Sequence, residues 1–402
     1  MKKTKWIKKR HKVIRILAGS LLYLYITKKY NVEITKHKEE KQRQYLILYN
    51  HQTAFDQFFV GYALKQPVYY LASEDLFSKG FISTLLRYAV APIPIKKQTV
   101  DISAVKNCIL VAKEGGTIAI APEGNRTYSG KTEYMNPAIA SLAKKMGLPI
   151  MLYRIEGGYG VHPRWSDKVR KGKMKAYVHR VIEPEEYKNM TTEELFEIIK
   201  EGLTVEENNT NNIYKHKELA QHLERAIYVC KDCGLSTFKS SGDILSCEKC
   251  NKQYRYCEDT HIQGVGFNTE FNFVNDWYEY QKDYINSLDL TDKNDVLYVE
   301  KIKLFKVNLN KNKEEIIKDA VIKLYGDKME IFENSTVKFT FDFENTDAIT
   351  VLGKNILNVY FEDKVYQVQG QEQGFNGLKY VHLFNRYKNI KKGEADVKFL
   401  GL

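Results

Sequence analysis

Between Tyr45 and Pro184, short apolar runs alternate with stretches whose apolar residues recur every three or four positions. Tyr45–Tyr49, Val68–Ala72, Ala91–Ile95, Thr117–Ala121 and Pro149–Ile155 are short and mostly apolar, as strands buried on both faces are. Helical spacing fills the intervals at Asp56–Leu64, Glu74–Ala89, Asp101–Glu114 and Pro137–Met146. Met174–Ile182 reads as another strand and Thr191–Glu206 as a closing helix. This alternation predicts an α/β domain over residues 45–206, a parallel or mixed sheet covered by helices.

The polar stretch Asn208–Asn212 marks a boundary, and Lys215–Ala226 predicts a helical linker within residues 207–226. A cysteine-bearing module, 227–258, precedes a helical connector, 259–292, centred on Asp276–Leu288. The pattern then shortens to the strand period. Lys301–Leu309, Ile316–Leu324, Lys328–Phe332, Val337–Phe343, Ala348–Leu352, Ile356–Phe361 and Val365–Val368 read as strands, with turns such as Gly326-Asp327 between them. Phe375–Lys388 reads as an amphipathic helix closing a mostly-β domain, 293–392. In strand count and terminal helix this domain resembles a pleckstrin-homology-like barrel, the class that includes GRAM domains. A packing or protein-interaction role is the plainer alternative to phosphoinositide-type binding, because its basic residues interleave with acidic ones.

Positive charge is concentrated at the N-terminus. Met1–Gln44 holds 14 Lys/Arg against three Glu, so +11 of the chain's +12 sits there. Such a block binds a polyanion, either anionic lipid or nucleic acid. Lipid is favoured by Ile16–Ile26, an uncharged, mostly apolar run flanked by Arg15 and Lys28-Lys29. As a helix it measures roughly 16 Å, about half of a ~30 Å hydrocarbon core. Residues 1–44 are therefore expected to lie on a phospholipid membrane surface, with Trp6 and the tyrosines at headgroup level and lysines on phosphates. The expected place is the cytoplasmic face of the cell membrane, as a peripheral protein. Basic residues on both flanks argue against a secretory signal.

Four of the six cysteines form Cys230-x2-Cys233-x13-Cys247-x2-Cys250. Two such knuckles match tetrahedral zinc held by thiolates, a structural site with no position open for catalytic water. A redox dithiol pair and an iron–sulfur site are the alternatives. Cys108 lies in an apolar helical pattern and Cys257 is left over, a usage that fits a reducing compartment. Only Lys239 is cationic between the knuckles, so no nucleic-acid partner is expected.

His51 and Asp56 are five residues apart, which on one helix places them about 140° from each other. They meet only if His51 lies in the turn after the first strand and Asp56 opens the next helix. Asp56 would then fix the imidazole tautomer, and the other nitrogen would take a proton from a hydroxyl. A structural histidine beside a capping aspartate is the bland alternative. Pro122-Glu123-Gly124-Asn125-Arg126 follows a later strand. There Arg126 offers a planar fork for phosphate, Gly124 permits close backbone approach, and Glu123 can brace the arginine or hydrogen-bond substrate.

In this order and spacing, residues 45–183 resemble the glycerolipid acyltransferase family, which includes 1-acylglycerol-3-phosphate (lysophosphatidic acid) acyltransferases. Asn50-His51-x4-Asp56 matches the first family block and Pro122–Arg126 the third, with Asn125 in place of the usual threonine. Ala91–Lys97 sits where the second block lies, with Lys96 or Lys97 replacing its terminal arginine. Leu148–Leu152 resembles the fourth. The resemblance implies acyl transfer from acyl-CoA or acyl-carrier protein to the sn-2 hydroxyl of a lysophospholipid acceptor, 1-acylglycerol-3-phosphate, as in phosphatidic acid synthesis. His51 and Asp56 would be catalytic, and Glu123, Gly124, Arg126, Lys96 and Lys97 would bind substrate. Another glycerol-based or lyso-lipid acceptor, or a non-catalytic lipid-binding adaptor, remains open at this stage.

Overall fold

The computed structural model describes residues 5–38, 43–77, 81–95, 101–209, 211–290, 292–307, 313–394, 397 and 400–401. The chain forms two compact units, Met1–Pro163 with Val169–Tyr214, and Arg164–Lys168 with Lys215–Leu402.

The first unit contains α1 (Lys9–Tyr30), β1 (Val32–Ile34), β2 (Leu46–Tyr49), α2 (Asp56–Ala63), β3 (Val68–Ser73), α3 (Phe81–Val90) and β4 (Ile93–Ile95). It continues with α4 (Ile102–Lys113), β5 (Thr117–Ile120), α5 (Ala138–Met146), β6 (Ile150–Glu156), α6 (Gly158–Val161), β7 (Met174–Ile182), α7 (Pro184–Tyr187) and α8 (Thr192–Leu203). Among the described residues, seven strands form one sheet in the order β1-β7-β6-β2-β5-β3-β4. β2 runs parallel to both β5 and β6, β3 runs parallel to β5 and β4, and β7 runs antiparallel to β6. The sheet is mixed.

The two faces follow from the alternation of side chains along each strand. Ile47, Tyr49, Met151, Tyr153 and Ile155 pack on one side with Ile26 and Tyr30 of α1 and with Phe59, Val60 and Ala63 of α2. Leu46, Leu48, Ile118, Ile120, Ile150 and Leu152 pack on the other with residues of α4, α5 and α8. Both faces are covered, so the central strands read as continuous apolar runs. Helix starts follow local chemistry. The Asp101 carboxylate caps α4 by accepting the Ala104 N–H at 3.0 Å, and Thr191 with Glu194 forms a capping box at α8.

The N-terminal helix extends beyond its apolar run. The helix is 22 residues long, about 33 Å, because the basic flanks continue it beyond the apolar run. Trp6 packs against the core and Tyr30 is fully buried, whereas Tyr25 within the apolar run is 57% exposed. Among the described residues no helix is long and apolar enough to cross a membrane. The predicted helix Glu74–Ala89 is instead a 3-10 turn at Glu74–Phe77 and the separate α3.

The second unit begins with a module of two small sheets, β8 (Val229–Cys230) with β9 (Gly234–Leu235), and β10 (Phe238–Ser241), β11 (Ile244–Cys247), β12 (Gln253–Tyr256) and β13 (Ile262–Gly264). Helix α9 (Val274–Ser287) sends buried Trp277 against Phe271, Tyr254 and Phe238, and the indole N–H donates to Val229 O at 2.7 Å. β14 (Tyr298–Val307), β15 (Glu314–Leu324), β16 (Lys328–Glu333), β17 (Thr336–Asp342), β18 (Thr346–Leu352), β19 (Ile356–Phe361) and β20 (Lys364–Gly370) follow, then α10 (Leu378–Lys391). Among the described residues these seven strands form one antiparallel sheet, order β17-β16-β15-β14-β20-β19-β18, with Phe384 of α10 packed on Phe343.

Lys215–Ala226 is not the helix its apolar spacing predicts. It is a run of turns ending in a 3-10 turn at Leu223–Arg225, with His222 at φ 63°. Twelve residues are marginal for a helix, and tertiary hydrogen bonds compete for the backbone. Ala220 N donates to Gly242 O at 2.9 Å, and His222 N donates to Ser240 Oγ at 2.7 Å.

Candidate active site

β2 and β5 are adjacent and parallel, so the loops leaving their carboxyl ends emerge side by side. One carries His51 and the other carries Glu123, Gly124 and Arg126. Asn50 starts the divergence. Its side chain exchanges two 2.8 Å hydrogen bonds with the Ile155 peptide of β6, continuing the ladder while its backbone turns away.

The His51 loop is shaped by Asp56, the first residue of α2 and wholly buried. Its Oδ2 accepts His51 Nδ1 at 2.8 Å and Gln52 N at 2.7 Å. Its Oδ1 accepts Thr53 Oγ1 at 2.6 Å and Thr53 N at 2.9 Å. A carboxylate only accepts, so Nδ1 carries the proton and the tautomer is set. These charge-assisted donors compensate for the loss of water around Asp56. The His51 side chain remains 23% exposed, enough for a reactant to reach it.

Glu123 faces the backbone of the His51 loop. Its Oε1 accepts the His51 backbone N–H at 2.8 Å, while His51 O accepts the Thr127 N–H at 3.3 Å. The histidine peptide is thus stitched to the loop of Arg126 from both sides. Burial pushes the Glu123 carboxyl up to about 8, opposed by the His51 N–H and reinforced by Glu133 and Asp56. Burial thus favours its protonated form. Gly124 has φ 68° and opens onto unfilled space, the left-handed geometry that glycine adopts without strain. Arg126 is half-buried on the same loop. β4 ends at Ile95, and Lys96 and Lys97 lie outside the described residues.

The arrangement joins a tautomer-fixed imidazole to a cationic loop at the carboxyl edge of a sheet, where open α/β folds bind ligands. Residues 31–155 match the acyltransferase family model. This stretch is similar to acyltransferase domains. Among solved structures, the 1-acyl-sn-glycerophosphate (LPA) acyltransferase PlsC from Thermotoga maritima is similar at 21% identity, covering 48% of this chain and 75% of that one with a TM-score of 0.40. No curated protein sequence matches the chain.

Around His51 and Arg126 the structure adds residues that the motifs did not single out. Gly157-Gly158-Tyr159-Gly160 follows β6, the other parallel neighbour of β2, and so reaches the same edge. Its cluster of glycines directly after a strand was the available signal. At the end of α1, Tyr30 packs on Phe55 of the His51 loop, with ring centroids 5.1 Å apart.

In the second unit, Cys230, Cys233, Cys247 and Cys250 bring their sulfurs within 4.8 Å of one another. The Cys230 and Cys250 sulfurs are 3.7 Å apart, against about 3.8 Å for the edge of a tetrahedron with Zn–S near 2.3 Å. Backbone N–H groups of Asp232 and Cys233 turn toward the Cys230 sulfur, which suits a thiolate. The donor set fits a four-thiolate metal. Cys108 and Cys257 stand outside it.

Proposed function

We propose that the protein transfers an acyl group from acyl-CoA or acyl-carrier protein to the sn-2 hydroxyl of 1-acylglycerol-3-phosphate. The observation carrying this reading is the His51–Asp56 pair stitched through Glu123 and Thr127 to the loop of Arg126. His51, with Nδ1 held by Asp56, takes the hydroxyl proton on Nε2. The hydroxyl oxygen then attacks the thioester carbonyl carbon, the C–S bond breaks, and the departing thiolate receives that proton. Arg126, with Lys96 or Lys97, holds the acceptor phosphate. Glu123 and Gly124 shape the phosphate-side loop. The test is purified protein with labelled acyl-CoA and acyl-carrier protein against glycerol-based acceptors. Transfer to 1-acylglycerol-3-phosphate that persists undiminished in His51→Ala defeats the proposal.

The same reading places the enzyme on the cytoplasmic face of the cell membrane. Val13, Ile16, Leu17, Leu21 and Leu24 expose one apolar stripe of α1, and neighbouring α3 exposes Phe81, Leu85 and Tyr88. Leu21 and Phe81 are 76% and 81% exposed, far beyond what packing on this unit requires. With the basic flanks, this surface suits anionic lipid. Binding of Leu21→Glu/Phe81→Glu to anionic vesicles at the wild-type level contradicts that placement.

For the four cysteines we assign a structural zinc, which would supply folding energy to the ribbon around it. For the seven-stranded sheet with α10 we keep the pleckstrin-homology-like assignment, with a packing role. Metal analysis of purified protein tests the first.

A further inference from the structure

The base loop and the loop of Arg126 share a support that belongs to neither. Gly158 lies so close to the base loop that a Cβ on it would come within 2.6 Å of Gln52 Cβ and 3.2 Å of Thr53 Cγ2. The next residue, Tyr159, is buried with its ring against Gly130 of the other loop, 2.7 Å from where a Cβ there would stand. One tight turn therefore touches both loops. Gly157, at φ 78° and pressed against Lys173 O, begins it.

That turn is held from a distance in sequence. The side chain of Glu207, 1% exposed, accepts the Gly157 N–H on Oε1 at 2.7 Å. The residues just before Glu207 hold the other loop. Val205 N donates to Thr132 Oγ1 at 3.0 Å, and Glu206 pairs with Lys131 in an isolated bridge. Residues 205–207 thus fasten the turn and the Arg126 loop at once, about fifty positions beyond the family match.

We propose that Glu207 is a positioning residue for the His51–Arg126 site, fixing the Gly157–Gly160 turn that spaces the two loops. The inference rests on the acyl-transfer reading for its kinetic consequence but not for its structural one. Burial holds the Glu207 carboxyl up to about 8, so near neutral pH it is uncharged and glutamine reproduces its acceptor. Glutamine and alanine therefore separate the acceptor from the charge.

The experiment compares the full-length wild type with Glu207→Gln, Glu207→Ala and Thr132→Val. It reads the His51 imidazole by NMR, assigned by its loss in His51→Gln, alongside kcat and KM for 1-acylglycerol-3-phosphate. Glu207→Ala should move the His51 resonance and its titration midpoint and lower kcat at least tenfold with KM less affected. Glu207→Gln should keep both within twofold of wild type. Thr132→Val should shift the His51 resonance in the same sense by less, and it carries the test if Glu207→Ala does not fold. An unchanged His51 signal in Glu207→Ala, or in Thr132→Val where the alanine variant is unfolded, overturns the proposal. Equal losses in Glu207→Gln and Glu207→Ala also overturn it. If wild type transfers no acyl group, the kinetic reading fails while the His51 resonance still decides the positioning role.

Discussion

The four cysteines of the second unit sit within about twenty residues of chain, whereas His51 and Arg126 are 75 residues apart. The cysteine cluster is assembled by two local knuckles and one hairpin, β10–β11. The His51 site is assembled by strand order, because β2 and β5 happen to be neighbours. The first kind of site carries its geometry in its spacing. The second borrows geometry from the whole sheet, and its supporting residues are scattered as far as Glu207.

The two units differ in electrostatics as well. Around His51, buried carboxyls at Glu123 and Glu207 are pushed up to about 8, chiefly by burial. In the second unit, Asp167 goes the other way. Hydrogen bonds from His222, Arg225 and Lys354 hold it far below its ordinary range, against an opposing effect of burial. Burial favours the protonated form of Glu123 and Glu207, whereas hydrogen bonds favour the ionised form of Asp167.

These contrasts can be broken in order of expected effect. His51→Ala should lower kcat for acyl transfer by about 10³-fold or more with the melting temperature unchanged, read by single-turnover assay. Asp56→Asn should fall not far behind, at roughly 10²–10⁴-fold, because the amide disturbs the tautomer and the loop together. Cys247→Ser should remove bound zinc and the cooperative unfolding of the second unit while the far smaller effect on the His51 resonance separates the two kinds of site; metal content and calorimetry report it. Arg126→Ala should raise KM for phosphate-bearing acceptors about 10–100-fold and spare acceptors without phosphate.

The smallest effect is on pH. A carboxyl that releases its proton near the ordinary 4.5 when unfolded, and near 8 when folded, binds more protons in the native state between those values. Stability from Glu123 and Glu207 therefore falls as pH rises from about 4.5 to 8 and changes no further above it. Asp167 behaves oppositely, contributing stability above its ordinary 3.8 that is lost as pH falls below it. Glu123→Gln/Glu207→Gln should flatten the neutral side of the melting profile, and Asp167→Asn should flatten only the acid side.

Much of this was legible beforehand. Met174–Ile182 and Ile356–Phe361 fall on the strands as expected, since period-two and continuous apolar runs report burial directly. The linker Lys215–Ala226 misled, because its apolar spacing serves contacts with the hairpin at Ser240–Gly242 and not a helix face. The motif gives Glu123 a role of bracing Arg126 or meeting substrate, and the fold adds a hydrogen bond from the His51 peptide to its Oε1 that no local pattern shows.

By itself the sequence determined what local chemistry can specify: strands, most helices, the cysteine knuckles, and the types of side chain able to move a proton or grip an anion. Strand order alone decided that His51 and Arg126 share an edge, that Glu123 clamps the histidine backbone, and that Glu207 supports the turn beneath both loops. The reason is physical. A side chain's chemistry is carried by the residue, but its distance to a partner far along the chain is set by which strands exchange hydrogen bonds, and that choice belongs to the packed sheet.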